Sequence, residues 1–243
     1  MNKTINLTIY CKRTNAILEN EEKKENILTL RGLLLSELNY HSEFKEDDYF
    51  WFFEEYEVTT NEFENTLARI NSYKESFQKL GAFVEAEYRT EIKYAGSIDL
   101  GREVMVSDPC YDLDTWCAGS LDNVLPGKYN CFYQEINTGR TCRILVLHES
   151  YDKSTADKMS FTNKEDFVVG VDSGTCGIYN LQYFADHCKE EAWYDGIIEQ
   201  KLPGIYEDSC FITDTGYGDG GYSCYTNRNN EGKIDAIEIV FIE

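Results

Sequence analysis

The chain has 243 residues, enough to bury a full core as one large domain or two smaller ones, and its 18 Tyr and 13 Phe against only 3 Pro exclude a disordered segment. Its formal net charge is −21, to which residues 1–90 contribute −6 (11 Lys+Arg against 17 Asp+Glu) and residues 91–243 contribute −15 (12 against 27). A surface of that sign repels phosphate backbones, so direct nucleic-acid binding is not expected, whereas cations or a basic protein partner suit it.

Met1 to Leu7 has no long apolar core and no cleavage-site pattern, and no run of the chain approaches a bilayer span. A cytoplasmic protein without membrane contact is expected. The nine cysteines, at 11, 110, 117, 131, 142, 176, 188, 210 and 224, include no Cys-x-x-Cys pair. Free thiols, mostly in the core, are expected rather than a structural zinc or a disulfide framework.

Residues 3–12 read as a strand because Ile5, Leu7 and Ile9 alternate with polar neighbours. After the charged segment 19–25, Leu30, Leu33, Leu34 and Leu38 give the run 27–38 helical spacing, which Gly32 weakens. The aromatic run Tyr49 to Phe53 suits a strand that fills a core from both faces. The clearest amphipathic helix follows: Thr60 or Asn61 is the expected cap, Phe63, Leu67, Ile70, Phe77 and Leu80 form one stripe, and Gly81 ends it.

From Ala82 the pattern turns to short strands, over 82–90, 92–98, 103–107, 128–136, 140–148, 167–172, 175–179, 210–214, 222–226 and 233–242, with one short helix over roughly 180–191. Asn137-Thr138-Gly139 and Asn229 to Gly232 suit hairpin turns. The expected fold is α+β: a mixed N-terminal part, residues 1–90, with one clear amphipathic helix, then a strand-rich, mainly antiparallel domain over 91–243.

Two near-copies of one pattern mark the candidate site: Val169-Gly170-Val171-Asp172-Ser173-Gly174 and Phe211-Ile212-Thr213-Asp214-Thr215-Gly216, the second continuing into Tyr217-Gly218-Asp219-Gly220-Gly221-Tyr222. An apolar strand that ends in Asp-Ser/Thr-Gly delivers a carboxylate to its end, and the glycine permits a sharp turn beside it. Asp172, Gly174, Tyr217, Asp219, Gly220 and Tyr222 are the candidate ligand-binding residues, and the loop 218–222 is expected to line the main pocket. Asp108, Asp172 and Asp219 are the candidate catalytic carboxylates.

Asp108, Asp112 and Asp114 on one short loop are candidate ligands for a divalent cation, calcium or magnesium, although the loop lacks the glycine and terminal Glu of the helix-loop-helix calcium site. Asp172 and Asp214 resemble the paired signature of aspartic peptidases, but a spacing of 42 residues is too small for two lobes and the sequence after Asp214 departs from that pattern. A nucleophilic Cys110 or Cys117 with His148 or His187 would need a positive setting that this acidic chain does not provide.

Ser107-Asp108-Pro109, Pro126-Gly127-Lys128-Tyr129, Val171-Asp172-Ser173-Gly174 and Gly218-Asp219-Gly220-Gly221-Tyr222, in that order and closing on a long apolar strand, resemble an uncharacterised domain-of-unknown-function family of bacterial and phage proteins over about residues 96–243. The resemblance implies a β-rich domain and no established activity. Its phage company implies a counter-defence or immunity role, in which such proteins sequester small signalling molecules or block host proteins. The resulting expectation is a binding protein for a small polar ligand or a protein partner. The alternative is a carboxylate- or divalent-metal-dependent hydrolase, which requires Asp108, Asp172 and Asp219 to converge in one cleft.

Overall fold

A computed structural model describes residues 2–10, 21–39, 51–159, 161 and 166–242. Contacts divide the chain into two compact units, Met1–Arg89 and Thr90–Glu243. The whole is strand-rich α+β, with three antiparallel sheets.

In the first unit β1 (Asn2–Tyr10) lies between β2 (Trp51–Thr59) and β3 (Phe83–Tyr88), antiparallel to both. The period-2 alternation puts Ile5, Leu7 and Ile9 on one face, where they share a core with Ile27 and Leu34 of α1 (Glu21–Glu37) and Ile70 and Phe77 of α2 (Phe63–Lys79). Tyr49 and Phe50 of the aromatic run lie outside the described residues, as does Cys11. Helix α2 starts later than its sequence suggests. Thr60 and Asn61 are the middle of a turn closed by the Glu62 N–H on the Thr59 carbonyl at 3.0 Å, so Glu62 is the cap residue and gives no side-chain cap bond. Gly81 ends the helix at φ 81°, a conformation glycine adopts without strain.

The second unit stacks two sheets. The first contains β5 (Val104–Ser107), β6 (Gly119–Leu121), β10 (Thr175–Asn180), β11 (Gly204–Tyr206) and β12 (Cys210–Asp214), in the order β11-β12-β10-β5-β6. The second contains β4 (Lys93–Leu100), β7 (Gly127–Glu135), β8 (Thr141–His148), β9 (Phe167–Val171), β13 (Gly220–Arg228) and β14 (Ile234–Val240), in the order β4-β7-β8-β14-β13-β9. Val106, Ile178 and Phe211 from one sheet meet Ile98, Val146, Val169 and Ile239 from the other in a common core.

Each outer face is covered too. Met105, Tyr179 and Ile212 pack under α3 (Leu181–His187) and α4 (Glu191–Ile198) through Phe184, Trp193 and Ile197. Phe132, Leu145, Leu147 and Ala236 pack under the 3-10 turn Lys153–Lys158 and Phe161. Strands buried on both faces read as continuous apolar runs, which is why β8 and β14 stand out in the sequence. Arg143 and Glu238 form a buried ion pair at 2.7 Å on this second outer face. Arg143 also donates to the Met159 carbonyl, and Glu238 accepts from the Phe161 N–H, so the pair holds both backbones in place.

The ends of the two sheets meet. Ile205 of β11 lies against Gly96 of β4, and the Asp99 N–H bonds the Asp208 carbonyl at 2.8 Å. At the opposite end the Phe167 ring of β9 covers Gly119 of β6 so closely that an added Cβ would fall 2.0 Å from a ring carbon. Strands β6 and β11, three residues each, carry too little alternation to be read from sequence. The single helix expected over 180–191 is two, because Glu190 is extended and starts α4 afresh, while Asn180 caps α3 by accepting from Gln182 N and Tyr183 N. Among the described residues no helix is long and apolar enough to cross a membrane.

Candidate functional site

Three loops meet at one end of the second unit: 108–118 after β5, 172–174 between β9 and β10, and 215–219 between β12 and β13. Asp108 joins the first two. It is fully buried, and each carboxylate oxygen accepts two hydrogen bonds: Oδ1 from Cys110 N (2.9 Å) and Ser173 Oγ (2.7 Å), Oδ2 from Asp172 N and Ser173 N (both 2.8 Å). A carboxylate has about four acceptor positions, and here all are occupied by the protein's own loops. Ser173 Oγ also meets Thr175 Oγ1 at 2.6 Å, and Tyr194 of α4 stands beside Ser173 and Cys110 with its hydroxyl pKa raised by burial.

The third loop joins through backbone. Thr215 N donates to the Gly174 carbonyl at 3.0 Å, and a Cβ at Gly174 would lie 3.7 Å from the Gly218 Cα. Gly174 has φ 70° and Gly218 has φ 104°, so both use the freedom their side-chain-free backbone allows. Gly220 is instead an ordinary strand residue opposite Val171.

The candidate residues thus have distinct placements. Asp172 turns its carboxylate outward to accept from the Tyr111 hydroxyl at 2.5 Å, and that bond pushes the Tyr111 pKa up to about 12. Asp219 is exposed on the third loop. Tyr217 is 58% exposed, with the Arg140 guanidinium 5.1 Å from its ring centre and an Arg140 N–H on the Gly216 carbonyl. Tyr222 directs its hydroxyl inward to the carbonyls of Thr215 (3.0 Å) and Gly218 (2.6 Å), so it closes the glycine turn. Asp112 and Asp114 are exposed, Asp114 with φ 61°, while Asp108 of the same loop is buried. The three carboxylates therefore do not share one facing direction.

Asp108 and Asp172 are neighbours, but their carboxylates serve different partners, and Asp219 is exposed on the third loop. Asp214, the other member of the Asp-Ser/Thr-Gly pair, accepts from Thr141 Oγ1 at 2.5 Å, so each aspartate of that pair has its own hydroxyl partner. Among the described residues no three His, Cys, Asp or Glu side chains are grouped as a metal site requires. His148 is engaged with Ser150, and His187 with the Tyr183 carbonyl. The Cys117 thiol is pushed up to about 11 by burial and then by the Asp108 charge, the opposite of a thiolate nucleophile. The eight cysteines among the described residues are free thiols, six of them buried. A pocket of about 300 Å³ lies at the other end of β5, lined by Arg102, Glu103, Leu113, Asn180 and Gln182 among others, and the loop 218–222 takes no part in it.

Sequence reasoning passed over the most exposed large side chain of the site. Trp116 is 64% exposed, and its ring rests on Gly170, where an added Cβ would fall 2.2 Å from Cζ3. Val169 and Val171 face the core, so Gly170 faces outward. Loop 108–118 therefore wraps around β9 and lays the indole on its outer surface. Tyr111 stands edge-on to Trp116 at 6.3 Å between ring centres, and Val168, 52% exposed, is next along the same face. The missed signal was a tryptophan in a polar loop, between Asp112, Asp114 and Ala118, with no strand or helix periodicity to bury it. Comparisons with protein-family models, curated proteins and solved structures find no significant match to this chain.

Proposed function

We propose that the unit Thr90–Glu243 is a binding module whose ligand surface is the three-loop end, with Trp116, Tyr111 and Asp172 at its centre. The observation that carries this reading is an exposed indole seated on a glycine in a loop fastened by a saturated carboxylate. Leaving a tryptophan 64% exposed forgoes burial worth roughly 2–3 kcal/mol, while the ring rests on Gly170 and Asp108 fastens the start of its loop. Rigid, exposed aromatics of this type dominate binding energies at interfaces because little side-chain entropy is lost on contact.

The hydrolase alternative gains no support from the geometry. Asp108 has no free lone pair for water or a cation, Asp172 is hydrogen-bonded by Tyr111, and Asp219 is exposed on the third loop. The likeness to bacterial and phage proteins suggests a setting in which the partner is a host protein or a small polar molecule, and it bears only on the setting.

The test is a thermal-shift panel of nucleotides, sugars, calcium, magnesium and charged peptides on the full chain, read in parallel on Trp116→Ala. A ligand that raises the melting midpoint of the parent and not of the variant supports the module, since preferential binding to the native state must raise the midpoint. Ligands that shift both proteins equally, or none that shifts either, count against it.

A further inference from the structure

We infer that the Trp116 surface takes a positively charged side chain, arginine or lysine, from a basic segment of another protein. The inference rests on the binding-module reading and names its partner class. Its argument is charge complementarity around an exposed ring. The three loops carry Asp108, Asp112, Asp114, Asp172 and Asp219 and no Lys, Arg or His. The absence of base extends well beyond the loops, over residues 103–127, 165–186 and 202–227. The ring at the centre is an indole, the aromatic that attracts cations most strongly, and its neighbour Tyr111 links it directly to the Asp172 carboxylate.

Tyr217, on the third loop, provides an internal comparison. Its ring already carries a cation, the Arg140 guanidinium, which at the same time donates to the Gly216 carbonyl. Among the described residues, a base thus stands over one exposed ring of this end and over the other none does. A guanidinium over Trp116 could repeat the Arg140 geometry, with the ring beneath it and an acceptor at its edge in Asp172.

The experiment is calorimetric titration of the full chain with a short Gly-Arg repeat peptide and with its citrulline counterpart, which keeps shape and hydrogen-bonding groups but lacks charge. The indole N–H resonance of Trp116 locates the contact. Binding of the Arg peptide that moves this resonance, a much weaker response to citrulline, and a two- to fivefold loss of affinity in Trp116→Ala, roughly the worth of an exposed cation–π contact, is the expected result. Asp172→Asn is the second variant; it leaves the indole in place and is expected to flatten the salt dependence of binding.

Equal affinity of the parent and Trp116→Ala for the Arg peptide would overturn the inference, because it would mean diffuse attraction to a chain of charge −21. Equal binding of the citrulline peptide would overturn it while sparing the binding module. Failure of both peptides, beside a Trp116-dependent response to a neutral ligand in the thermal-shift panel, would also overturn it and spare the module. Failure of every ligand would reject both.

Discussion

Replacing Asp108 by Asn exchanges one oxygen atom for an amide, and wherever that amide points it faces donors. On the Oδ2 side the amide opposes the N–H groups of Asp172 and Ser173, and on the Oδ1 side it opposes that of Cys110 while Ser173 Oγ can turn to accept, so one or two of the four bonds are lost and an N–H is opposed to an N–H. Asp108→Asn is expected to cost about 2–3 kcal/mol. For a chain of this size that is a fall in melting midpoint of roughly 5–10 °C, measurable by calorimetry. An unchanged midpoint would show that the clamp is dispensable. At Tyr111 the bond to Asp172 favours the protonated phenol, raising its pKa from 10.0 to about 12. A folded-state pKa above the unfolded one contributes stability that is complete below about pH 10 and is lost as pH rises through about 12. The contact between loops 108–118 and 172–174 is therefore expected to be constant from pH 6 to pH 9. A titration of tyrosine Cζ resonances should contain a late-ionising signal that Asp172→Asn moves to lower pH.

At the scale of elements, the ion pair of Arg143 and Glu238 between the neighbouring strands β8 and β14 is the strongest single lever. Both side chains are buried, at 7% and 2% exposure, and removing one partner strands the other charge in the interior. Glu238→Ala is expected to lose about 3–5 kcal/mol in urea unfolding, and to speed hydrogen exchange at the Phe161 N–H before the rest of the sheet. The elements themselves were legible in proportion to their periodicity. Strands β8 and β14 declared themselves by apolar runs, and α2 by its stripe, because core packing selects those residues directly. Its cap was not legible, since Thr60 and Asn61 are good cap residues that a preceding turn had already engaged. The site was half legible: Asp-Ser-Gly and Gly-Asp-Gly-Gly-Tyr did mark the loops. But the roles of their side chains depend on contacts across 60 or more residues, such as Asp108 with Ser173 and Tyr111 with Asp172, which no local pattern encodes.

For the whole molecule the net charge of −21 sets the response to ions. Like charges repel more strongly in the compact state than in the expanded one, and salt shortens their range from about 30 Å at 0.01 M to about 8 Å at physiological ionic strength. The melting midpoint is expected to rise with sodium chloride over that interval. Calcium or magnesium chloride at matched ionic strength discriminates between screening and a specific site. A saturable extra rise that Asp112→Asn removes would restore the cation reading of the 108–114 loop, and superimposable curves would reject it.

The meeting of the sheet ends in the second unit, Ile205 on Gly96 at one side and Phe167 on Gly119 at the other, bears on how a partner can be gripped at all. Many recognition domains capture a peptide by letting it become one more strand, with main-chain hydrogen bonds supplying affinity without regard to sequence. Here β11 packs on β4 and β9 on β6 at the margins where a strand would be added, so a guest strand must fit beside a neighbouring sheet. Recognition at the loops proceeds through side chains instead, so affinity there depends on which residues the guest presents.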